Sequence, residues 1–360
     1  MKLLQPRRFH PRKAMFVLAV LAGFMVYTTQ RDRPPQLWRF DGEIFGSTYT
    51  VQLVDRGLSE KRLAVLQATV QSHLDAMNSE LSTWLPDSGL SRFNANPSLA
   101  PIAVTPRIVE LTALSMEISR ASGGAFDVTF SPLFDAWGFG RNGPKRIPDP
   151  ATEAAAFAQC GIHHLSIVSS NELQKAVPGL QLVFNAIAPG YAAQEVTGLL
   201  AEQGFSNLYV DVGGETVVRG RNLSGQPWRI GIERPTYDAE PGRQIDVVLA
   251  VTDAAVATSG DYRNYVRGED GVHYSHIFDP RIGRPAISRV ASVTVVANNG
   301  AWADALATTL FVMGPEEGLP WLAEHTDAEA LFLMREGENQ FREIASPGLT
   351  ARTGYAPQTR

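Results

Sequence analysis

Asp304 and Thr308 stand four residues apart in the alanine-rich run Ala301-Trp302-Ala303-Asp304-Ala305-Leu306-Ala307-Thr308-Thr309. Alanine favours helix, and positions i and i+4 share one helix face, so a carboxylate and a hydroxyl converge on one point. Two hard oxygens of that kind, completed by carbonyls, phosphate oxygens or water, suit Mg²⁺; Mn²⁺ also accepts oxygen ligands. A second constellation, His273-Tyr274-Ser275-His276-Ile277-Phe278-Asp279-Pro280, holds two imidazoles and a carboxylate within seven residues. It has no further ligand at a zinc-like spacing. His276 therefore reads as a general base or as a structural hydrogen-bonder beside Asp279. Ser122-Gly123-Gly124-Ala125-Phe126-Asp127-Val128-Thr129 reads equally as a backbone loop approaching a ligand or as a helix end followed by a strand. Val210-Asp211-Val212-Gly213-Gly214-Glu215 reads as a hairpin turn, and Ala257–Tyr265 offers donors suited to phosphate or a flavin edge.

These segments need elements to position them. Apolar residues at Leu63, Leu66, Val70, Leu74, Met77 and Leu81 predict a helix over Ser59–Leu81. Further helices are expected from Thr105-Pro106, from Asp149-Pro150 to Gly161, over Tyr191–Gln203, and over Ala301–Val312 and Pro315–Glu324. Strand-like runs occur at Thr48–Val54, Leu208–Val212, Trp228–Ile232, Ile245–Val251 and Ala291–Val296. Their order has no regular βαβ rhythm and no short repeat, which implies a single mixed α+β domain rather than a Rossmann sheet.

The chain has 360 residues, 44% of them hydrophobic and 19% charged, as in folded globular proteins. Lys2, Arg7, Arg8, Arg12 and Lys13 precede the apolar run Ala14–Val26, with no acid among the first thirty residues. The rest of the chain is therefore more acidic than the overall net charge of −5, which excludes a nucleic-acid binder. Bases before a short apolar run describe a signal peptide or an uncleaved membrane anchor over residues 1–37, with Pro34-Pro35 opening the linker. The body is then exported, on the periplasmic face of the inner membrane. The single cysteine, Cys160, excludes an intrachain disulfide and reads as a buried helical thiol.

In order along the chain come Phe45-Gly46-Ser47-Thr48, Glu80-Leu81-Ser82, Ser91-Arg92-Phe93-Asn94, Gly123–Thr129, Trp137-Gly138-Phe139-Gly140, Asn185-Ala186-Ile187-Ala188, Asp211–Glu215, Ala257–Tyr265, Ser275–Pro280 and Ala303–Thr308. This set resembles the ApbE family of FAD:protein FMN transferases, over residues 38–345, with 346–360 as a tail. The resemblance implies Mg²⁺-dependent cleavage of FAD as substrate, attachment of FMN to a Ser or Thr of an extracytoplasmic redox protein, and release of AMP. It implies metal ligands at Asp304, Thr308 and the Ala186 carbonyl. It implies FAD contacts at Phe45, Trp84, Ala125, Phe126, Asp127 and Ile277, and a catalytic His276. One segment departs from the family pattern: Val183, Pro189 and Gln194 replace an acid, a lysine and a second acid. Read as three lost polar contacts in one site, they raise two alternatives: a flavin-binding maturation factor without catalysis, and an FAD pyrophosphatase.

Overall fold

The computed structural model describes residues 15–16, 34–140, 144–237, 242, 244–337 and 339–357. The basic cluster and most of the apolar N-terminal run lie outside the described residues. Among the described residues, no helix is long and apolar enough to cross a membrane.

Strands β1 (Gln36–Ile44) and β2 (Ser47–Asp55) form a hairpin. Helices α1 (Glu60–Leu81) and α2 (Gly89–Ala95), strand β3 (Ile102–Ala103) and helix α3 (Pro106–Ala121) follow. Next come α4 (Ser131–Trp137), α5 (Pro150–Phe157), β4 (Leu165–Ser169), β5 (Glu172–Lys175) and α6 (Ala188–Glu202). The middle of the chain is β-rich: β6 (Leu208–Val212), β7 (Glu215–Arg219), β8 (Trp228–Glu233), β9 (Ile245–Val251) and β10 (Ala254–Gly260). Short ribbons β11 (Tyr265–Arg267) with β12 (His273–Ser275), and β13 (Phe278–Asp279) with β14 (Arg284–Pro285), precede β15 (Val290–Ala297). Helix α7 (Gly300–His325), strands β16 (Glu329–Gly337) and β17 (Gln340–Ala345), and α8 (Leu349–Thr353) complete the fold.

An eight-stranded antiparallel sheet in the order β1-β2-β6-β7-β10-β15-β16-β17 is the frame. The main core joins apolar residues of this sheet, such as Val51, Val210 and Val295, to α1, α6 and α7 through Leu66, Val196 and Leu310. A second core packs β8 and β9, through Trp228, Ile230 and Leu249, against Val256, Val296 and Leu331. Leu349 and Tyr355 of the last segment are buried in it. The architecture is α+β, with antiparallel sheets and helices mixed along the chain.

Local chemistry sets most element ends where the sequence puts them. Ser59 caps α1 by accepting from the Arg62 N–H at 3.3 Å. Asp149 caps α5 by accepting from Ala151 and Thr152. That helix stops at Phe157, short of Gly161, so Cys160 is buried but not helical; its thiol meets the Ala156 carbonyl. Burial pushes that thiol up to about 12, making it unreactive. Helix α6 begins at Ala188, three residues before the expected start, because Pro189 fits a first turn whose N–H groups have no intrahelical partner. Gly314, at φ 73°, breaks α7 between the two helical runs read from the sequence.

Candidate functional site

A cavity of about 390 Å³ opens where the ends of β7 and β10 meet α7, the 125–139 segment and the 276–280 segment. Its wall has two chemical characters. One side carries Asp304, Thr308, Glu215, Ser259, Ala186 and Asn185. The other carries Phe126, Phe130, Phe134, Phe139, Ile277 and Phe278. His276, Asn264 and Arg263 also line it.

The polar side is built on regular elements. Asp304 and Thr308 lie one turn apart on α7, and Asp304 is 4% exposed. Its Oδ2 accepts from the Gly190 N–H in the first turn of α6, at 2.9 Å. The two helices touch through glycine: a Cβ on Gly190 would sit 2.2 Å from the Gly300 carbonyl oxygen, and a Cβ on Gly300 would meet the Gly190 oxygen as closely. The Thr308 hydroxyl shares a hydrogen bond with Ser259 on β10 at 2.8 Å. On the neighbouring residue of that strand, the Thr258 N–H donates to Glu215 at 3.2 Å. Glu215 reaches the wall because Asp211 closes the β6–β7 turn, accepting from the Thr216 hydroxyl and the Gly214 N–H. Burial pushes the Asp304 carboxyl above the usual carboxylate range. Burial, and then the Asp304 charge, raises Glu215 well above the usual carboxylate range.

This donor set suits a small hard cation. A buried carboxylate and a hydroxyl present oxygens to one cavity, with Ala186 on the same wall, and there is no soft ligand. Burial holds Asp304 and the half-buried Glu215 toward their neutral forms, and a bound cation would favour the charged carboxylates that ligate it.

His276 donates from Nδ1 to the Asn264 carbonyl at 3.1 Å, which leaves Nε2 with its lone pair. The ring has no bond to Asp279, whose carboxylate instead pairs with Arg281 at 2.9 Å. Burial drives the His276 imidazole down to about 4, so it is neutral at pH 7. Arg263 pairs with Glu233 at the rim and lies over the Tyr262 ring.

The aromatic side is built on short helices and turns. Phe134 and Phe278 meet edge to face at 5.3 Å, and Phe139 stacks on Trp137 with ring planes 5° apart. Such a surface accommodates a flat ring system. Gly123 and Gly124 close α3, with the Gly124 N–H bonded to Ser119 O, and so serve as a helix end. The loop beyond them brings Ala125, Phe126 and Asp127 to the cavity. Asp127 accepts from the Thr129 and Ile162 N–H groups at 2.7 and 2.8 Å, so its carboxylate holds the loop in place.

Of the site residues named from the sequence, the wall holds His276, Ala125, Phe126, Asp127, Ile277, Ala186, Asp304 and Thr308. Phe45 and Trp84 are not part of it. Phe45 occupies the β1–β2 turn at φ 55°, and Trp84 is 54% exposed on the loop after α1. Glu215 and Ser259 fall within the 210–215 and 257–265 segments read from the sequence but were not named there as site residues; β7 and β10 bring them beside Thr258 and Thr308. The three departures do not act together as lost contacts. Val183 lines the cavity, Pro189 lies against Gly213, and the Gln194 side chain accepts from the Gly300 N–H at 3.1 Å.

Residues 45–332 match the model of the ApbE family. A curated "FAD:protein FMN transferase" of Vibrio cholerae is 38% identical over 335 residues, covering 92% of this chain and 96% of that protein. The protein of the same description from Escherichia coli K12 is 33% identical over 92% of this chain and 94% of its own length. Among solved structures, the flavin transferase ApbE from Vibrio cholerae superposes with a TM-score of 0.79 at 36% identity, covering 89% of this chain and all of that one. The apo form of Pseudomonas stutzeri flavinyl transferase ApbE also gives 0.79, at 38% identity over 89% of this chain and 98% of its own.

Proposed function

This chain belongs to the ApbE family and is an FAD:protein FMN transferase, and from that premise we propose how its cavity carries out the transfer. FAD is the donor and a protein is the acceptor. The observation that carries the reading is that one cavity is lined both by the Asp304–Thr308 oxygens and by a neutral His276 whose Nε2 is left to accept a proton.

Asp304, Thr308 and the Ala186 carbonyl would hold Mg²⁺, which when bound neutralises charge on the FAD pyrophosphate. The remaining work falls to the chain itself. The Phe126, Phe139 and Phe278 rings seat the flavin, and the Ala125–Asp127 loop, braced by Asp127, fixes its height in the cavity. His276 takes the proton from a Ser or Thr hydroxyl of the acceptor. That oxygen bonds to the phosphorus next to the riboflavin unit, the pyrophosphate P–O bond breaks, and AMP leaves with the bridging oxygen. Asn264 keeps the imidazole in the tautomer this requires.

The acceptor is an extracytoplasmic redox protein in this reading, and the N-terminal segment places the enzyme at the periplasmic face of the inner membrane. The support is the basic cluster ahead of the Ala14–Val26 run. Incubation with FAD, Mg²⁺ and natural acceptor proteins should produce a fluorescent flavinylated band and one AMP per band. Neither band nor AMP with every acceptor would overturn the proposal in favour of a flavin-binding factor without catalysis, and AMP without a band would overturn it in favour of an FAD pyrophosphatase.

A further inference from the structure

Helices α6 and α7 exchange hydrogen bonds in both directions where they cross. The Gly190 N–H, in the first turn of α6, donates to the Asp304 carboxylate of α7 at 2.9 Å. One turn further along α6, the Gln194 side-chain oxygen accepts from the Gly300 N–H, in the first turn of α7, at 3.1 Å. Residues 190 and 194, and residues 300 and 304, are each one turn apart on the facing surfaces. The backbones approach this closely only because Gly190 and Gly300 lack side chains. The crossing is anchored from behind, where the Tyr191 hydroxyl donates to Glu110 on α3 at 3.0 Å.

We propose that Gln194 is a positioning residue for the cation site. By accepting the first N–H of α7 it fixes the start of that helix, and with it the depth and direction of Asp304 one turn on. Asn299 caps the same end from within its own segment, accepting from Trp302 at 3.2 Å. Gln194 provides the hydrogen bond that ties the start of α7 to the helix whose N–H holds Asp304. A helix free to shift by a few tenths of an ångström would loosen the oxygen geometry that Mg²⁺ requires. Gln194 therefore has a use as an amide, and its replacement of an acid in the family pattern keeps the acceptor oxygen.

This inference rests on Asp304 being a cation ligand. It is tested by Mn²⁺ binding to the full-length, flavin-free protein, measured by electron paramagnetic resonance and by calorimetry. Gln194→Met keeps length and packing but removes the acceptor, and should weaken Mn²⁺ binding about 3- to 13-fold, within the range of one hydrogen bond. Gln194→Glu restores an acceptor oxygen and should bind within threefold of wild type. Unchanged binding in Gln194→Met, or equal weakening in both variants, would overturn the role. If wild type itself binds no Mn²⁺, the cation reading fails and this inference with it. Should Gln194→Met not fold, amide exchange at Gly300 in the wild type decides: protection of a hundredfold or more supports the bond, and exchange at the open-chain rate refutes it.

Discussion

The two sides of the cavity are held by opposite means. The oxygen-bearing side hangs on α6, α7, β7 and β10, and each functional group there is tied to main chain or to another side chain: Asp304 to Gly190, Thr308 to Ser259, Glu215 to Thr258. The aromatic side is made of turns, one seven-residue helix and two-residue strands, held together by ring contacts such as Trp137 with Phe139 and Phe134 with Phe278. Phosphoryl chemistry depends on oxygens placed to within fractions of an ångström, which helices and strands provide. A flavin ring needs a broad apolar surface, and no single contact there is decisive. Polar substitutions should therefore be felt in turnover, and aromatic ones mainly in affinity.

Asp304→Ala should give the largest effect. It removes the charged oxygen from the cation site, and metal catalysis contributes several kcal/mol, so turnover should fall about 10⁴-fold. Circular dichroism and melting should stay near wild type, because the hydrogen bond lost is the one from the Gly190 N–H and the cost of burying the carboxyl goes with it. An unfolded Asp304→Ala protein, together with wild-type turnover indifferent to Mg²⁺, would erase the distinction between the two walls.

His276→Gln should come next, lowering flavinylation about 10²- to 10⁴-fold while FAD affinity changes little, as expected for a general base. Equal losses in affinity and rate would make the imidazole part of the binding surface instead. The same residue sets an acid limit. Its folded-state value of about 4 lies below the roughly 6.5 of the unfolded chain, so between these values the unfolded state holds more protons. Stability from this group is therefore complete above pH 6.5 and is lost as pH falls toward 4, by at most roughly 3 kcal/mol. Urea midpoints between pH 4 and 7 should show this slope in wild type and a shallower one in His276→Gln.

Much of this arrangement was legible in the sequence, because the oxygen side sits on regular elements with periodic signals. The four-residue step from Asp304 to Thr308 needed only a helix, and Ser59, Asp149 and Pro106 marked helix starts by their capping chemistry. Glu215 and Ser259 lay inside segments read from the sequence but were not named as site residues, because the strand pairing that brings them together, through Thr216–Val256 and Ser259–Val293, joins distant parts of the chain. Strands β16 and β17 were missed too. Asp279 looked like the partner of His276 from three residues away, but Arg281 claims its carboxylate and a carbonyl from Asn264 takes its place. The bond that Gln194 makes was hidden from the sequence for a related reason: its partner, Gly300, is over a hundred residues away.

The smallest effect belongs to the aromatic side. Phe139→Leu keeps an apolar group on the wall but removes a ring that stacks on Trp137 and meets His276 and Phe278 edge-on, with centroids 6.3 Å away in both cases. Aromatic pairs contribute about 0.5–1.5 kcal/mol beyond buried area, so FAD should bind roughly 2- to 10-fold more weakly by flavin fluorescence quenching. At saturating FAD the flavinylation rate should stay within threefold of wild type, because His276 is oriented by Asn264 and not by the ring. A drop in saturated rate as large as that of His276→Gln would mean that Phe139 aims the imidazole. The aromatic side would then take part in the chemistry, and the division of labour between the two walls would fall.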